Sequence, residues 1–367
     1  MVEHQRWFRR HPKTAITVVV VGFGLLLDLL LGWLMIPQDN RFRCPHPFYH
    51  HGLLPNRDES TVWGKHRVAM ITNSLGFRDH TPRQIANQPG KRRLLILGDS
   101  FTEGVGVRYE KTFAGLLEQA LASEGIEVLN AAAVSYSPKL YYLKARHLIE
   151  VEQLKFDQLA VFIDISDIQN EISYEAFEPA EFSSMNRFRF TLKQFGQRRS
   201  FVYHTISKLT QPAISSAHAP TNQDADLFPC LVGMDPATMA DPLFQETASL
   251  WTIKQEVFGK YGKRGLDLAI ENMDKLAALC KKAGIKLTVA VYPWPQQIQH
   301  RLLENLQVTA WRDYAKRHGA QFADLFPKFI DQRSHTSIRA KYFLDGDVHW
   351  NEAGHQLVAD SVAPLFR

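Results

Sequence analysis

Residues 94–100 read LLILGDS, an unbroken apolar run that ends in a turn carrying a serine. A short apolar run bounded by a turn is typical of a strand that is covered on both faces. The run therefore predicts a buried strand at 93–97, with Ser100 just beyond its carboxyl end.

Similar runs recur along the chain and alternate with segments of helical period. We expect further strands at 127–132, 158–165, 286–292 and 321–325, and helices at 112–123, 138–154, 267–283, 296–317 and 351–365. Strands separated by helices of this length form a parallel sheet with helices on both faces. The sequence thus predicts an α/β fold of three layers around a central parallel sheet.

A second segment is apolar throughout. Residues 15–36 hold 22 positions and a single charge, which is long enough to cross a bilayer as a helix. A cleaved signal peptide and a buried core helix are the alternatives. The exit from the segment, LMIP, lacks the small residues of a cleavage site, and the segment has no polar face. We therefore expect an uncleaved transmembrane helix.

The charges around this segment suggest its orientation. Four basic residues precede it, namely Arg6, Arg9, Arg10 and Lys13. Such an excess favours a cytoplasmic N-terminus at 1–14, which places the rest of the chain outside the cytoplasm, in the periplasm or at the cell surface. The charge within the segment is Asp28. A carboxylate at that depth is costly, so it is either tolerated in a very apolar helix or contacts another membrane protein.

The remainder of the chain falls into an extension and a main domain. Residues 37–90 are rich in Pro, His, Asn and Arg and are interpreted as a linker and N-terminal extension, and residues 91–367 as the main domain. Within that domain, residues 171–261 show no clear period. They are interpreted as an insertion or lid.

Composition argues against several functions. No stripe of Lys or Arg follows the apolar segment, so nucleic acid is not an expected partner. No His-x-x-His, paired-Cys or Gly-rich phosphate pattern occurs, so neither a metal nor a cofactor is expected. Cys44 and Cys230 could pair in an oxidising compartment, whereas Cys280 lies in a helical pattern and is expected in the core.

The stretch DVHWNEAGH, which begins at Asp347, complements the serine. A serine hydroxyl is a weak nucleophile until a base takes its proton, and a histidine held by a carboxylate is the usual base. Ser100, His349 and Asp347 are therefore the expected nucleophile, base and acid of an acyl transfer, meeting at the carboxyl edge of the sheet. His355, three residues after Glu352, is the alternative base.

These motifs resemble the SGNH/GDSL hydrolase superfamily. Its first block, Gly-Asp-Ser after the opening strand, matches 98–100, and its last block matches His349. The resemblance covers 92–170 and 262–366, and it implies a flavodoxin-like fold and activity on esters of lipids, carbohydrates or envelope polymers. The Asp-x-His spacing followed by Trp-Asn is similar to membrane-anchored members of the alginate-acetylation type.

The resemblance also implies which groups hold the oxyanion. They are the backbone N–H of Ser100, a second donor where Ala132 replaces the usual glycine, and a third where Ser166 replaces an asparagine. A backbone donor survives the first change, but a serine hydroxyl is shorter than an asparagine side chain. Each lost donor costs about 2.7–4 kcal/mol of transition-state stabilisation.

Further residues are expected close to the substrate, namely Asp167, Asn170, Trp294 and Trp350. Asn170 is also an alternative to Ser166 as an oxyanion donor. Trp294 lies in a Tyr-Pro-Trp-Pro segment that is either a rigid loop or a platform for a sugar. Trp350 either fills the core or lines the pocket.

The expected activity is that of a serine esterase or O-acyltransferase acting on acetyl or other acyl esters of envelope or secreted glycans. The expected partners are a glycan or small acyl ester and a membrane protein that donates acyl groups. The alternative is a glycan-binding or assembly protein that keeps the fold without catalysis. The changes at Ala132 and Ser166 favour that alternative, and the set of Ser100, His349 and Asp347 opposes it.

Overall fold

The computed structural model describes residues 11–36, 42–181, 183–209 and 236–367. The chain divides into two compact units. The larger unit comprises Phe42–Ala180 and Asp226–Arg367, and the smaller comprises Met1–Arg41 and Glu181–Ala225.

The larger unit begins with two antiparallel hairpins and continues into a parallel sheet. The hairpins are β1 (Arg43–His46) with β2 (His50–Leu53), and β3 (Arg57–Trp63) with β4 (His66–Thr72). The sheet consists of β5 (Arg92–Leu97), β6 (Ile126–Asn130), β7 (Gln158–Ile163), β8 (Lys286–Val291) and β9 (Gln321–Asp324).

The sheet has the strand order β6–β5–β7–β8–β9, and all of its pairs are parallel. This is the flavodoxin-like order, in which ligands bind beyond the carboxyl ends of the strands where the order reverses. That point lies beside β5, the strand that leads to Ser100. The parallel α/β sheet expected from the sequence is confirmed.

Helices cover both faces of this sheet. The helices of the larger unit are Ser100–Glu103, Phe113–Leu121, Pro138–Arg146, Asp167–Tyr174, Pro236–Ala240, Pro242–Leu250, Gln255–Val257, Lys263–Ala283, Pro295–Gln299, Leu306–His318, Phe326–Phe329, His335–Tyr342 and Glu352–Val362. One layer contains Pro138–Arg146, Lys263–Ala283 and Leu306–His318, and the other contains Phe113–Leu121 and Glu352–Val362. The three-layer architecture expected from the sequence is confirmed.

The helix Lys263–Ala283 illustrates why these segments fold as they do. Its buried residues include Leu266, Met273, Leu276 and Cys280, which recur at helical spacing and form one apolar stripe against the sheet. Gly284 ends the helix at φ 71°, a conformation that glycine adopts without strain. Cys280 is thus a core thiol, and burial raises its pKa to about 12.

One predicted helix is wrong. The continuous helix expected at 296–317 is two helices, Pro295–Gln299 and Leu306–His318. Asn305 begins the second one, because its side chain accepts hydrogen bonds from the backbone N–H groups of Gln307 and Val308. A side chain that satisfies these N–H groups starts a new helix where the apolar period alone continues the old one.

The insertion at 171–261 contains more regular structure than its sequence suggests. Helices lie at Ser184–Arg199 and Phe201–Leu209 in the smaller unit, and three more lie between 236 and 257 in the larger. Cys230 lies outside the described residues, and so does any pairing of it with Cys44, which is buried.

The described part of the smaller unit contains the helix Pro12–Met35, here called the anchor helix, and the helices Ser184–Arg199 and Phe201–Leu209, here called the helical pair. The anchor helix is long and apolar enough to cross a membrane. Most of the N-terminal segment expected in the cytoplasm, residues 1–14, lies outside the described residues.

The anchor helix contacts the helical pair through its polar and small residues. Asp28 Oδ1 accepts a hydrogen bond from the backbone N–H of Val202 over 2.8 Å. Gly32 lies so close to the junction of the pair that a Cβ there would be 2.0 Å from the carbonyl oxygen of Arg199. Asp28 therefore has a hydrogen-bond partner within the chain.

Candidate active site

The Gly-Asp-Ser turn holds Ser100 at the carboxyl end of β5. The Asp99 side chain accepts a hydrogen bond from the backbone N–H of Phe101 over 3.0 Å and thereby starts the helix that Ser100 opens. Gly98 is required there, because a Cβ would lie 2.1 Å from Thr102 Oγ1. Ser100 is consequently fixed at the sheet edge and is only 8% exposed.

A tight turn before the last helix presents the histidine. Asp347 Oδ1 accepts hydrogen bonds from the backbone N–H groups of Val348 and His349, over 2.6 and 3.1 Å. The carbonyl oxygen of His349 in turn accepts one from the Leu344 N–H over 2.8 Å. Asn351 then begins the helix Glu352–Val362 with its side chain. The carboxylate therefore shapes the turn that positions the imidazole.

The serine, histidine and aspartate meet in a continuous chain of hydrogen bonds. The distance from Ser100 Oγ to His349 Nε2 is 2.7 Å, and from His349 Nδ1 to Asp347 Oδ1 it is 2.6 Å. An ionised carboxylate can only accept, so the imidazole proton lies on Nδ1 and Nε2 is left to accept the serine proton. The structure thus brings together Ser100, His349 and Asp347, the three residues that the sequence predicts to act together.

Asp347 is held by a fourth residue, Trp63. Its indole Nε1 donates to Asp347 Oδ2 over 2.7 Å, and its ring meets that of His349 edge-on at 5.0 Å. Burial by itself raises the pKa of Asp347, but the hydrogen bonds and charge of His349, together with the Trp63 hydrogen bond, hold that pKa well below its usual range. The Asp347 carboxyl is therefore ionised near neutral pH.

Sequence reasoning missed Trp63. It ends β3, within the segment interpreted as a linker and extension, next to the hairpin turn at Gly64. An aromatic residue before a glycine turn indicates a hairpin, but nothing in that pattern indicates a contact with Asp347, which lies 284 positions away.

The alternative base, His355, lies elsewhere. It is 1% exposed, and its Nδ1 accepts a hydrogen bond from the backbone N–H of Phe113 over 3.2 Å. Burial, with smaller contributions from nearby positive groups, lowers its pKa to about 3, so it is neutral. Glu352 is exposed on the same helix. His355 therefore supports packing between helices, and His349 is the histidine that meets Ser100.

Two of the three expected oxyanion donors, Ala132 and Ser166, follow the strands on either side of β5, and both are engaged within the protein. The Ala132 N–H donates to Asn130 Oδ1 over 3.2 Å. The Ser166 hydroxyl donates to Asp164 Oδ1 over 2.5 Å. Asn170 is half-buried on the helix that follows Ser166.

The two tryptophans expected near the substrate occupy different environments. Trp294 is half-buried and donates from Nε1 to Asp164 Oδ2 over 2.6 Å. Trp350 is fully buried, with its ring close to those of Phe101, Tyr292 and Phe329. The sequence left open whether Trp350 fills the core or lines the pocket, and the structure places its side chain in the core.

Three buried carboxyl groups lie together at this edge, Asp99, Asp164 and Asp167, each with an oxygen within 4.8 Å of the others. Oxygen ligands of this type suit hard cations. However, Tyr292 donates to Asp99 and Tyr141 to Asp167. Burial, and then the neighbouring carboxylates, raise the pKa of Asp99 and Asp167 well above the usual range. Hydrogen bonds within the protein therefore already engage the carboxyl groups that a cation would need.

A second group with metal-ligand chemistry consists of Asp79, His80 and Glu118. Arg83 forms ion pairs with Asp79 and Glu118, which neutralise the carboxylates that a cation would need. This group therefore serves as an ion-pair network that holds the extension to the helix Phe113–Leu121.

Solved structures with low sequence identity resemble the chain. An alpha/beta hydrolase from the metagenome of Lake Arreo, Spain, is 16% identical, with a TM-score of 0.39 over 75% of this chain and 94% of that one. The acetyl xylan esterase AlAXEase is 15% identical, with a TM-score of 0.40 over 75% and 100%. A lipolytic G-D-S-L family protein from Veillonella parvula is 13% identical, with a TM-score of 0.39 over 75% and 98%. No curated protein matches the chain.

The family comparison is more direct. The model of the GDSL-like lipase/acylhydrolase family matches residues 96–357, which is more than half of the chain. The matched region starts within β5 and includes Ser100, Asp347 and His349. The chain therefore belongs to the GDSL-like lipase/acylhydrolase family of ester hydrolases.

Proposed function

We propose that the chain is a membrane-anchored serine esterase or O-acyltransferase that acts on acetyl or other acyl esters of envelope or secreted glycans. One observation carries the proposal: Ser100 Oγ lies 2.7 Å from His349 Nε2, and His349 Nδ1 lies 2.6 Å from Asp347. Groups in this arrangement can take the proton from the serine and stabilise the resulting imidazolium.

In the proposed mechanism, His349 removes the hydroxyl proton as Ser100 Oγ attacks the acyl carbonyl. The backbone N–H groups of Ser100 and Ala132, with the Ser166 hydroxyl, hold the oxyanion. His349 then gives its proton to the leaving alcohol, and an acyl ester remains on Ser100. His349 next removes a proton from water in an esterase, or from a glycan hydroxyl in a transferase, as that oxygen bonds to the acyl carbon. His349 then returns the proton to Ser100 Oγ as the bond between the acyl carbon and the serine breaks.

A second candidate function is glycan binding or assembly without catalysis. It is favoured by the hydrogen bonds that occupy two of the oxyanion donors, from Ala132 to Asn130 and from Ser166 to Asp164. A catalytic role requires these donors to turn towards the substrate when it binds. A purely binding role leaves them as they are.

Turnover of a chromogenic acetyl ester by the full-length protein in detergent separates these candidates. We expect hydrolysis by the wild type and by Ser123→Ala, a matched change at an exposed serine, and a loss of orders of magnitude in Ser100→Ala. Equal rates of ester hydrolysis in the wild type and Ser100→Ala would contradict the proposed serine esterase or acyltransferase activity. Addition of an acetylated oligosaccharide and an acceptor glycan then distinguishes hydrolysis from transfer, by comparing released acetate with acetylated acceptor.

Location restricts the substrates that the site can meet. The anchor helix and the basic residues before it support a catalytic unit outside the cytoplasm. The proposed partner there is a membrane protein that donates acyl groups. Protease added to spheroplasts should then digest a C-terminal tag, while the protein stays in the membrane after an alkaline wash. Protection of the tag would reject the envelope-glycan substrate.

A further inference from the structure

The helical pair exposes an unusual number of large apolar side chains. Their exposed fractions range from 40% to 79%. They are Met185, Phe188, Leu192 and Phe195 on the first helix, and Val202, Tyr203, Ile206 and Leu209 on the second. On the first helix they recur at intervals of three and four residues. On the second helix Val202, Ile206 and Leu209 have the same spacing, with Tyr203 next to Val202, so each set forms a stripe along one face of its helix. Contiguous apolar surface of this kind indicates a protein interface or a membrane.

The charges of the helical pair favour the membrane. Residues 183–209 include Lys and Arg residues but no Asp or Glu. Arg189, Lys193 and Arg199 are exposed. A helix that combines an apolar stripe with basic residues suits the boundary between lipid tails and headgroups, and its positive charge is attracted to anionic lipids.

The distance between the end of the anchor helix and its contacts with the helical pair agrees with a position at the boundary between lipid tails and headgroups. Gly32 and Asp28 touch the junction of the pair, and the anchor helix ends at Met35. At a rise of about 1.5 Å per residue, these contacts lie about 5 and 10 Å from the end of the anchor helix. Interfacial helices bury their apolar faces to a depth of about 5–10 Å.

We propose that the helical pair is a second membrane-contacting element, which lies in the outer leaflet beside the anchor helix with its apolar stripe in the lipid. The helical pair contacts the anchor helix, whose large apolar side chains are exposed in the same way. The occupant of this surface is a bilayer containing anionic phospholipid. The inference rests on the proposed membrane anchoring, and it assigns a role to part of the insertion.

Site-specific photocrosslinking of the full-length protein tests the proposal. Benzoylphenylalanine replaces one residue at a time, and the protein is reconstituted into vesicles of phosphatidylcholine and phosphatidylglycerol. The test positions are Phe188 and Leu192. The anchor helix supplies a positive control at Leu26, which is 69% exposed, and the larger unit a matched apolar control at Leu303, which is 44% exposed. Mass spectrometry of the peptides identifies the adducts, and unchanged ester hydrolysis shows that each variant is folded.

The proposal predicts lipid adducts at positions 26, 188 and 192, with about 10-fold less at 303, the ratio expected from burial of one large apolar side chain. Adducts at 26 without adducts at 188 and 192 would overturn the inference and leave the anchor intact. An absence of adducts at 26 would overturn the anchoring as well. Crosslinks from 188 and 192 to a second protein chain, or equal labelling at 303, would also overturn the inference.

Discussion

The carboxyl edge of the sheet and the smaller unit differ in which side chains they bury: the sheet edge buries polar side chains, whereas the smaller unit exposes apolar ones. At the sheet edge, Ser100, Asp99 and His349 are buried and hydrogen-bonded. In the smaller unit, large apolar residues such as Leu26 and Phe188 are exposed. A buried polar group depends on individual partners, whereas an apolar surface depends on its total area. Single substitutions should therefore have large effects at the sheet edge and small ones in the smaller unit.

The largest effect is expected for the nucleophile and the base. Ser100→Ala and His349→Ala should each lower kcat by on the order of 10⁴–10⁶-fold, because each removes the step that activates the hydroxyl. The double variant should be scarcely worse than either single one, since the two residues act as a unit. Steady-state kinetics on an acetyl ester measures the loss, and labelling of Ser100 by a fluorophosphonate should disappear in both variants.

His355→Ala is the matched control for His349→Ala. It removes the acceptor of a buried backbone N–H, so it should lower the free energy of unfolding by about 1–3 kcal/mol while kcat stays close to that of the wild type. Chemical denaturation measures the difference. An inactive His355→Ala beside an active His349→Ala would overturn the assignment of the base.

The acid should have the next largest effect. Asp347→Asn should lower kcat by on the order of 10³–10⁴-fold, because an amide no longer fixes the proton on Nδ1 or stabilises the imidazolium. Activity that persists within a few-fold of the wild type would show that Asp347 only shapes the turn.

The same variant has a pH signature in its stability. The pKa of Asp347 is lower in the folded chain than in the unfolded chain. Its ionised form therefore stabilises the fold above the unfolded pKa, and that contribution is lost as the pH falls through the folded pKa. The difference in unfolding free energy between the wild type and Asp347→Asn should be largest near neutral pH and should shrink in strong acid.

The residues of the proposed Ser-His-Asp triad could be predicted because their signals are local. An apolar run followed by Gly-Asp-Ser identifies both β5 and Ser100, and the spacing of Asp347 and His349 identifies a carboxylate next to a base. Trp63 could not be predicted in this way, because its role arises only when a hairpin packs against a turn 284 positions later. Tertiary contacts of that kind leave no periodic pattern in the sequence.

The helical pair escaped prediction for a different reason. Residues 171–261 are interpreted from the sequence as an insertion or lid without a clear period. The residues from 184 to 209 place basic and polar residues between their apolar ones and lead to no neighbouring strand. Ser183 and Ser200 start the two helices with their side chains, so the helical boundaries were present as local signals. The sequence pattern does not indicate which environment the apolar stripe faces, since such a stripe can face lipid as well as a protein core.

Trp63 allows an intermediate test at the sheet edge. Trp63→Phe removes one hydrogen bond to a charged group, worth about 1.5–3 kcal/mol, so kcat/KM should fall by roughly 10- to 100-fold. The loss of this donor also raises the pKa of Asp347, so the stabilisation that its ionised form contributes should be lost at a higher pH during acid denaturation.

Trp311→Phe is the control for that change. Trp311 is fully buried, and its indole N–H has no hydrogen-bond partner within the described part of the chain. The substitution should alter packing and leave both kcat/KM and the pH range over which the Asp347 stabilisation is lost unchanged. Equal kcat/KM in Trp63→Phe and the wild type would show that Trp63 contributes only packing.

The smallest effect is expected in the smaller unit, at Asp28. Its carboxylate accepts the hydrogen bond from the Val202 N–H at the start of the second helix of the pair, a contact of the capping type worth about 1 kcal/mol. Asp28→Ala should therefore raise the rate of tryptic cleavage after Arg199 in proteoliposomes by about 5-fold. Asp28→Asn keeps an acceptor oxygen and should change the rate little. If Asp28→Ala is cleaved no faster than the wild type, the carboxylate does not hold the junction in the membrane. Contact of Asp28 with another membrane protein, one of the two alternatives that the sequence allows, would then be favoured.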